Sequence, residues 1–142
     1  MSEIVSKAAG MTMTDAMVRC MQQPGALAVA FVEIKTGLAI AGEGIENIDF
    51  DRLTPALTAH LLFYLNPDPI NPGLTCTPQS EPNGTVHCLE DILITAGDRI
   101  HMMYPLSRGA QGLYLYLALK RSVGSTMLGR RCFREIDDKL LV

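Results

Sequence analysis

A chain of 142 residues is about the usual size of one domain. Its 48% hydrophobic and 19% charged residues exclude a disordered chain, and its net charge of −3, without a long run of Lys or Arg, excludes an electrostatic nucleic-acid footprint. No apolar stretch reaches the roughly 18 residues that a spanning helix needs. Met1 to Gly10, with Glu3 and no continuous apolar run, does not read as a signal peptide, so no membrane insertion and a cytoplasmic location are expected.

The first helix is expected from Thr12, after a loose start over residues 1–11. Thr12 and Asp15 have capping-box spacing, and Met13, Ala16, Met17, Cys20 and Met21 share one face until Pro24-Gly25 ends the helix. Ala26 to Ile34 reads as a central strand. Leu27, Val29 and Phe31 point one way, and Ala28, Ala30 and Val32 form a small-residue face that admits a helix closely. After the turn Lys35-Thr36-Gly37, Leu38 to Ala41 returns as the second strand of a hairpin. A second helix follows and runs to Leu65. Asp49 is a candidate N-cap, but Pro55 lacks an N–H, so the helix either kinks or starts near Leu53, with Thr54 as cap and Pro55 at the first helical position; the later start, or an opening loose turn, is expected.

Residues 66–86 contain Pro67, Pro69, Pro72, Pro78 and Pro82 with the turn pair Asn83-Gly84. They read as a proline-rich loop inserted into a single domain spanning 1–142. Cys88 to Thr95 is expected as the third strand, Ile100 to Tyr104 as the fourth and Gly112 to Lys120 as the fifth. In the fifth, Leu113, Leu115, Leu117 and Leu119 alternate with Tyr114, Tyr116, Ala118 and Lys120. The last helix is expected over Val123 to Leu141, with Leu128, Cys132, Ile136 and Leu140 on its core face beside Phe133. The order α-β-β-α-β-β-β-α gives an α/β fold of three layers, α/β/α. Its five-stranded sheet is mostly antiparallel, with helices on both faces.

Chemistry-bearing patterns are sparse. Gly124-Ser125-Thr126-Met127-Leu128-Gly129-Arg130-Arg131 opens a helix after a strand, as a phosphate loop does. It lacks the Lys-[Ser/Thr] pair that reaches the terminal phosphates and the magnesium ion, so its glycines read as packing residues. His87, Cys88 and Cys76 offer three candidate metal ligands without a standard zinc spacing, and the four cysteines read as small buried hydrophobes. Glu90-Asp91 is expected on a strand, where neighbours point to opposite faces and cannot work as an acid/base pair. Tyr114 and Tyr116 share a strand face, as an RNA-stacking platform would, but without basic residues around them they are expected to pack under a helix. No catalytic, cofactor-binding or metal-binding residue is assigned, and no enzyme activity is expected.

Three stretches carry a resemblance. Gly25 to Ala41 forms one hairpin with Gly37 at its turn, Asp91 to Leu106 forms a second around Ala96-Gly97-Asp98-Arg99, and Gly112 to Lys120 precedes the final helix. In this order they resemble the roadblock/dynein light chain family, which has a profilin-like fold, over roughly Thr12 to Leu141 outside the proline-rich loop. The resemblance implies a non-catalytic homodimeric or heterodimeric scaffold or regulator, acting beside small Ras-like GTPases or motor assemblies. It also implies that the third strand pairs with its copy across a two-fold axis while the second helices pack together. The implied interface is Phe50, Leu53, Leu57, Leu61 and Tyr64 with Ile92, Leu93 and Ile94. The alternative is a sensory or small-ligand-binding domain with a pocket between sheet and helix, lined by the methionines of the first helix and Met102-Met103.

Overall fold

In the computed structural model, residues 10–45, 47–65, 89–107 and 112–141 are described. They form α1 (Met13–Met21), β1 (Ala26–Glu33), β2 (Ala39–Gly44), α2 (Phe50–Leu65), β3 (Ile92–Ala96), β4 (Arg99–Pro105), β5 (Leu113–Lys120) and α3 (Thr126–Lys139). The strands make one five-stranded sheet in the order β2-β1-β5-β4-β3, with every neighbouring pair antiparallel. The expected element order and the three-layer arrangement hold. The loop expected over 66–86 and the candidate ligands Cys76, His87 and Cys88 lie outside the described residues.

The alternation of β5 sorts the layers. Leu115, Leu117 and Leu119 join Val29, Phe31 and Met102 beneath α1 and α3, which contribute Ala16, Met17, Cys20, Cys132, Phe133 and Ile136. Tyr114, Tyr116 and Ala118 join Ala28, Ala30, Val32 and Met103 beneath Leu57 and Leu61 of α2. Two alanines in β1 thus leave room for α2, as the strand pattern predicts. Leu27 departs from the pattern and packs on the α2 side. The register of β1 against β5 shifts between Ala26 and Ala28, and such a bulge turns the extra residue to the other face.

Local chemistry explains the element ends. Thr12 caps α1 with the full box: its hydroxyl accepts from the Asp15 N–H, and the Asp15 carboxylate accepts from the Thr12 N–H. The start of the chain is less loose than expected where it is described. Met11 is buried, its N–H donates to the Lys139 carbonyl, and its own carbonyl accepts from Leu141 N–H. Ser125 caps α3 by accepting from the Leu128 N–H, so the helix starts three residues later than the periodicity suggests. The two-residue turn from β3 to β4 has Gly97 at its first central position with φ +60°, which a residue with a Cβ adopts only under strain.

Three further expectations are corrected. α2 begins at Phe50, and Pro55 lies inside it. Asp49 acts as the cap, its carboxylate accepting from the Arg52 N–H, and only one carbonyl, that of exposed Asp51, loses its helical partner to the proline. Because Asp51 is exposed, losing that one bond leaves a group that water can satisfy at little cost, and the proline is tolerated. β3 begins at Ile92, and Glu90 and Asp91 precede it. Arg130 of α3 binds Asp91 through two nitrogens at 2.7 and 3.2 Å, and Arg134 lies 3.9 Å from Glu90. Both acids therefore turn toward one helix instead of opposite faces. Leu128 is exposed at the first turn of α3, whereas Cys132, Phe133, Ile136 and Leu140 form the buried stripe as expected.

Candidate functional site

α2 is apolar on both sides, and this makes it the candidate site. Its inner side is fixed by polar as well as apolar contacts. Leu57 and Leu61 are 6% and 0% exposed, and a fully buried leucine contributes about 2 kcal/mol. Thr54 and Thr58 are buried beside them. The Thr54 hydroxyl donates to the Phe50 carbonyl at 2.9 Å, and the Thr58 hydroxyl lies 2.7 Å from the Thr54 carbonyl and 2.8 Å from the Tyr114 hydroxyl. Tyr114 itself reaches the Thr54 carbonyl at 3.4 Å. Burial raises the Tyr114 phenol above its ordinary value, so it remains a neutral hydrogen-bonding group. This cluster locks the rotation of α2 on the sheet.

The locked rotation presents Pro55, Ala56, Ala59, His60, Leu62, Phe63 and Tyr64 to the outside, all of them exposed. Leu62, Phe63 and Tyr64 are 49, 61 and 44% exposed, with the Phe63 and Tyr64 rings edge to face at 5.0 Å. No Lys, Arg, Asp or Glu occurs from Leu53 to Leu65. A helix apolar all round is normally buried all round.

Among the described residues, β3 forms the edge of the sheet opposite β2. It pairs with β4 alone, through an unbroken register from Ile92↔Met103 to Ala96↔Arg99. Ile92, Leu93 and Ile94 are half-buried: Ile92 and Ile94 pack into the α2 cluster, and Leu93 packs into the opposite one. Among the residues implied by the resemblance, Tyr64 is therefore open on α2, and Ile92 to Ile94 line the free edge. Phe50 and Leu53 are half-buried, while Leu57 and Leu61 are turned onto the chain's own sheet. The periodicity missed Leu62 and Phe63. The absence of charge from Leu53 onward was the signal that marked them.

Tyr116 also packs beneath α2, as expected of a packing residue. Its hydroxyl shares a 2.7 Å hydrogen bond with Nδ1 of His101, whose ring stacks on it at 5.8 Å and 16°. Burial, and then the charge of Arg99, lower the His101 pKa below its ordinary value. His60 is exposed on α2. Among the described residues no three His, Cys, Asp or Glu side chains gather as a metal site. Gly124 and Gly129 of the phosphate-loop-like stretch are packing positions. A Cβ at Gly124 would sit 2.8 Å from the Leu119 Cβ, and one at Gly129 would sit 2.8 Å from the Met102 sulfur. Met102 and Met103 face opposite layers, so they do not line one pocket together.

A cleft of about 350 Å³ opens where α3 meets the end of β4 and is lined by Leu89, Glu90, Tyr104, Pro105, Ser107, Arg134, Asp137 and Asp138. The sequence reading missed Asp137, which is buried although it carries charge. It accepts from the Ser107 N–H at 3.1 Å, the Ser107 hydroxyl at 3.0 Å and the Tyr104 hydroxyl at 3.4 Å. Burial and the Asp137 charge raise the Tyr104 pKa to about 12. The carboxylate thus clasps the end of β4 to α3. Its place four residues after Phe133 on the core stripe was the available signal.

No family model matches the sequence, and no curated protein matches it at a significant level. Solved structures do match. A Roadblock/LC7 domain from Streptomyces avermitilis superposes with a TM-score of 0.62 at 8% identity, over 86% of this chain and 88% of that one. The gliding protein MglB from Thermus thermophilus gives 0.60 at 9% identity, over 87% and 84%. MglB from Myxococcus xanthus gives 0.60 at 15% identity, over 89% and 92%. At these identities the likeness is one of fold: this chain has the roadblock fold. No helix among the described residues is long and apolar enough to cross a membrane.

Proposed function

We propose that this chain is a non-catalytic protein-interaction module that works as a homodimer through α2 and β3, and that the dimer serves as a scaffold or regulator beside a small Ras-like GTPase. The observation that carries the dimer is the outer face of α2, where Leu62, Phe63 and Tyr64 stand exposed on a helix without a charged residue from Leu53 onward. Exposed apolar surface on α2, together with an apolar strand at the edge of the sheet among the described residues, is an arrangement that a second copy can bury. In this dimer, Ile92 to Ile94 of each copy meet along the two-fold axis, and Tyr64, with Leu62 and Phe63, packs against its counterpart. Phe50, Leu53, Leu57 and Leu61 act from within, by fixing the rotation of the helix. The regulatory role beside a GTPase rests on the resemblance to the roadblock family.

Light scattering coupled to size exclusion at micromolar concentration tests the dimer. The expected mass is twice the 15.5 kDa of the chain. A clean monomer would sink the proposal.

A further inference from the structure

Away from α2, the two helices on the opposite face bring together a pair of chemically reactive groups. Cys20 of α1 and Cys132 of α3 are both buried, with their sulfurs 3.9 Å apart, although 112 residues separate them in sequence. Neither is in a disulfide. A cleft of about 290 Å³ reaches one of the two, and its lining is Arg19, Gln23, Leu128, Arg131, Cys132 and Glu135. Cys20 does not line it. Gln23 lines the same cleft, and its Oε1 is buried without a hydrogen-bond partner among the described residues. Arg19 is ion-paired to Glu135 in the lining of the cleft, which ties α1 to α3.

We propose that Cys20 and Cys132 are a redox-responsive dithiol, in which a small peroxide oxidises Cys132 through this cleft and Cys20 converts the product into a disulfide that staples α1 to α3. Access sets the roles, because the cleft reaches Cys132 and not Cys20. Cys132 is held below its ordinary value, first by the hydrogen bond it shares with Cys20 and then by the Arg19 charge, against burial. Cys20 is pushed up, by its bond with Cys132 and by burial. The more acidic thiol is thus the one that the cleft reaches, as the attacking nucleophile should be.

The chemistry balances. The Cys132 thiolate attacks one peroxide oxygen, the O–O bond breaks, and the departing hydroxide takes a proton to become water, or an alcohol from an organic peroxide. Cys132 is left as a sulfenic acid. The Cys20 sulfur then attacks that sulfur as its own proton leaves. The S–O bond breaks, the S–S bond forms, and the hydroxyl departs as water. Two electrons pass from the two sulfurs to the peroxide. The sulfurs must close by less than about 2 Å to reach the disulfide length of about 2.05 Å, a movement on the scale of side-chain rotation.

The test treats the reduced full chain with hydrogen peroxide, blocks remaining thiols under denaturing conditions, and maps the peptides by mass spectrometry. The expected product is a Cys20–Cys132 linked peptide that dithiothreitol cleaves. In Cys20→Ala, which lacks the resolving thiol, dimedone should capture a sulfenic acid on Cys132; in Cys132→Ala, Cys20 should remain unmodified over the same exposure. Oxidation confined to Cys76 and Cys88, or a Cys132 that proceeds to sulfinic acid without any linked peptide, overturns the proposal. The linked peptide in the unaltered chain decides the matter whether or not the variants fold.

Discussion

The sheet has two edges, and they differ in how they meet solvent. β2 is interrupted by a register shift opposite Phe31 and Val32, which leaves Ile40 unpaired, and it ends in Gly42-Glu43-Gly44. The first turn of α2 lies over it, with Phe50 so close to Gly42 that an added Cβ would sit 2.9 Å from the ring. A bulge, two glycines and a charge are the devices by which natural sheets discourage a further strand. β3 has none of them: five residues, Ile92 to Ala96, pair with β4 in unbroken register and carry neither glycine nor charge. The outer face of α2 repeats the contrast along the helix, with Asp51 and Arg52 at its start and Leu62, Phe63 and Tyr64 at its end. Among the described residues the two edges thus differ, the proposed dimer uses β3, and that contrast can be broken from either side.

Replacing Phe63 with Glu attacks the open side where the isolated chain has least to lose, because Phe63 is 61% exposed. A two-fold interface repeats the change, and central aromatic anchors each cost about 2 kcal/mol or more, so dimerisation should weaken roughly a thousandfold. Sedimentation across a concentration series reads the shift, and an unchanged circular dichroism spectrum would show that the fold survives. Dimerisation as tight as in the unaltered chain would place the interface elsewhere. Thr95→Lys asks a narrower question of β3 itself. Thr95 is exposed, and a lysine there gives the edge the charge it lacks. The two lysines would stand near the axis, and a loss of roughly tenfold in dimer affinity is expected, with strong salt dependence. An unaffected dimer would mean that the strands do not pair edge to edge.

The same contrast marks how far the fold and the site were legible in the sequence. β5 alternates strictly, so Leu115 and Tyr114 could be assigned to their layers from the period alone, and the capping box at Thr12 fixed the start of α1 to the residue. α2 was different. Phase is read from polar residues, and a helix without charge from Leu53 onward has little phase to read, so inward Leu57 and Leu61 and outward Phe63 look alike in a list of apolar residues. Its start was misplaced because Pro55 is a strong local signal, whereas the exposure that makes the lost hydrogen bond tolerable leaves no trace in sequence. The turn of Glu90 and Asp91 out of the strand depends on Arg130 and Arg134, about forty residues away in the chain. The bulge at Leu27 and the meeting of Cys20 with Cys132 likewise arise only when distant elements pack.

The protected edge makes a smaller prediction of opposite kind. Gly42→Ala places a methyl against the Phe50 ring, and the half-buried ring must move to admit it. Destabilisation of about 1 kcal/mol is expected from this overpacking, visible as a lower urea midpoint at unchanged slope. Dimer affinity should stay within the error of measurement. A loss of dimerisation without loss of stability would mean that β2, not β3, carries the interface, and the contrast between the edges would be reversed.

The smallest effect expected is a pH dependence on the open side of the sheet. His101 sits on β4 opposite Ile94 of β3 and Ala118 of β5, with Tyr116 against its ring. Burial, with Arg99 nearby, lowers its pKa from the ordinary 6.5. The unfolded chain therefore takes up a proton near pH 6.5 while the folded chain still refuses it. In that window the unfolded state binds more protons, so folding stability rises with pH. The contribution is complete above the unfolded pKa, is lost as pH falls below about 6.5, and stops changing once the folded imidazole is protonated as well. In His101→Asn the titrating group is gone, so urea midpoints measured between pH 7.5 and 5 should fall less steeply than in the unaltered chain. The comparison is between slopes, so any uniform cost of losing the bond to Tyr116 drops out. Equal slopes for the two proteins would mean that the imidazole protonates as readily in the folded sheet as in the unfolded chain, and that the Tyr116 pair is open to water.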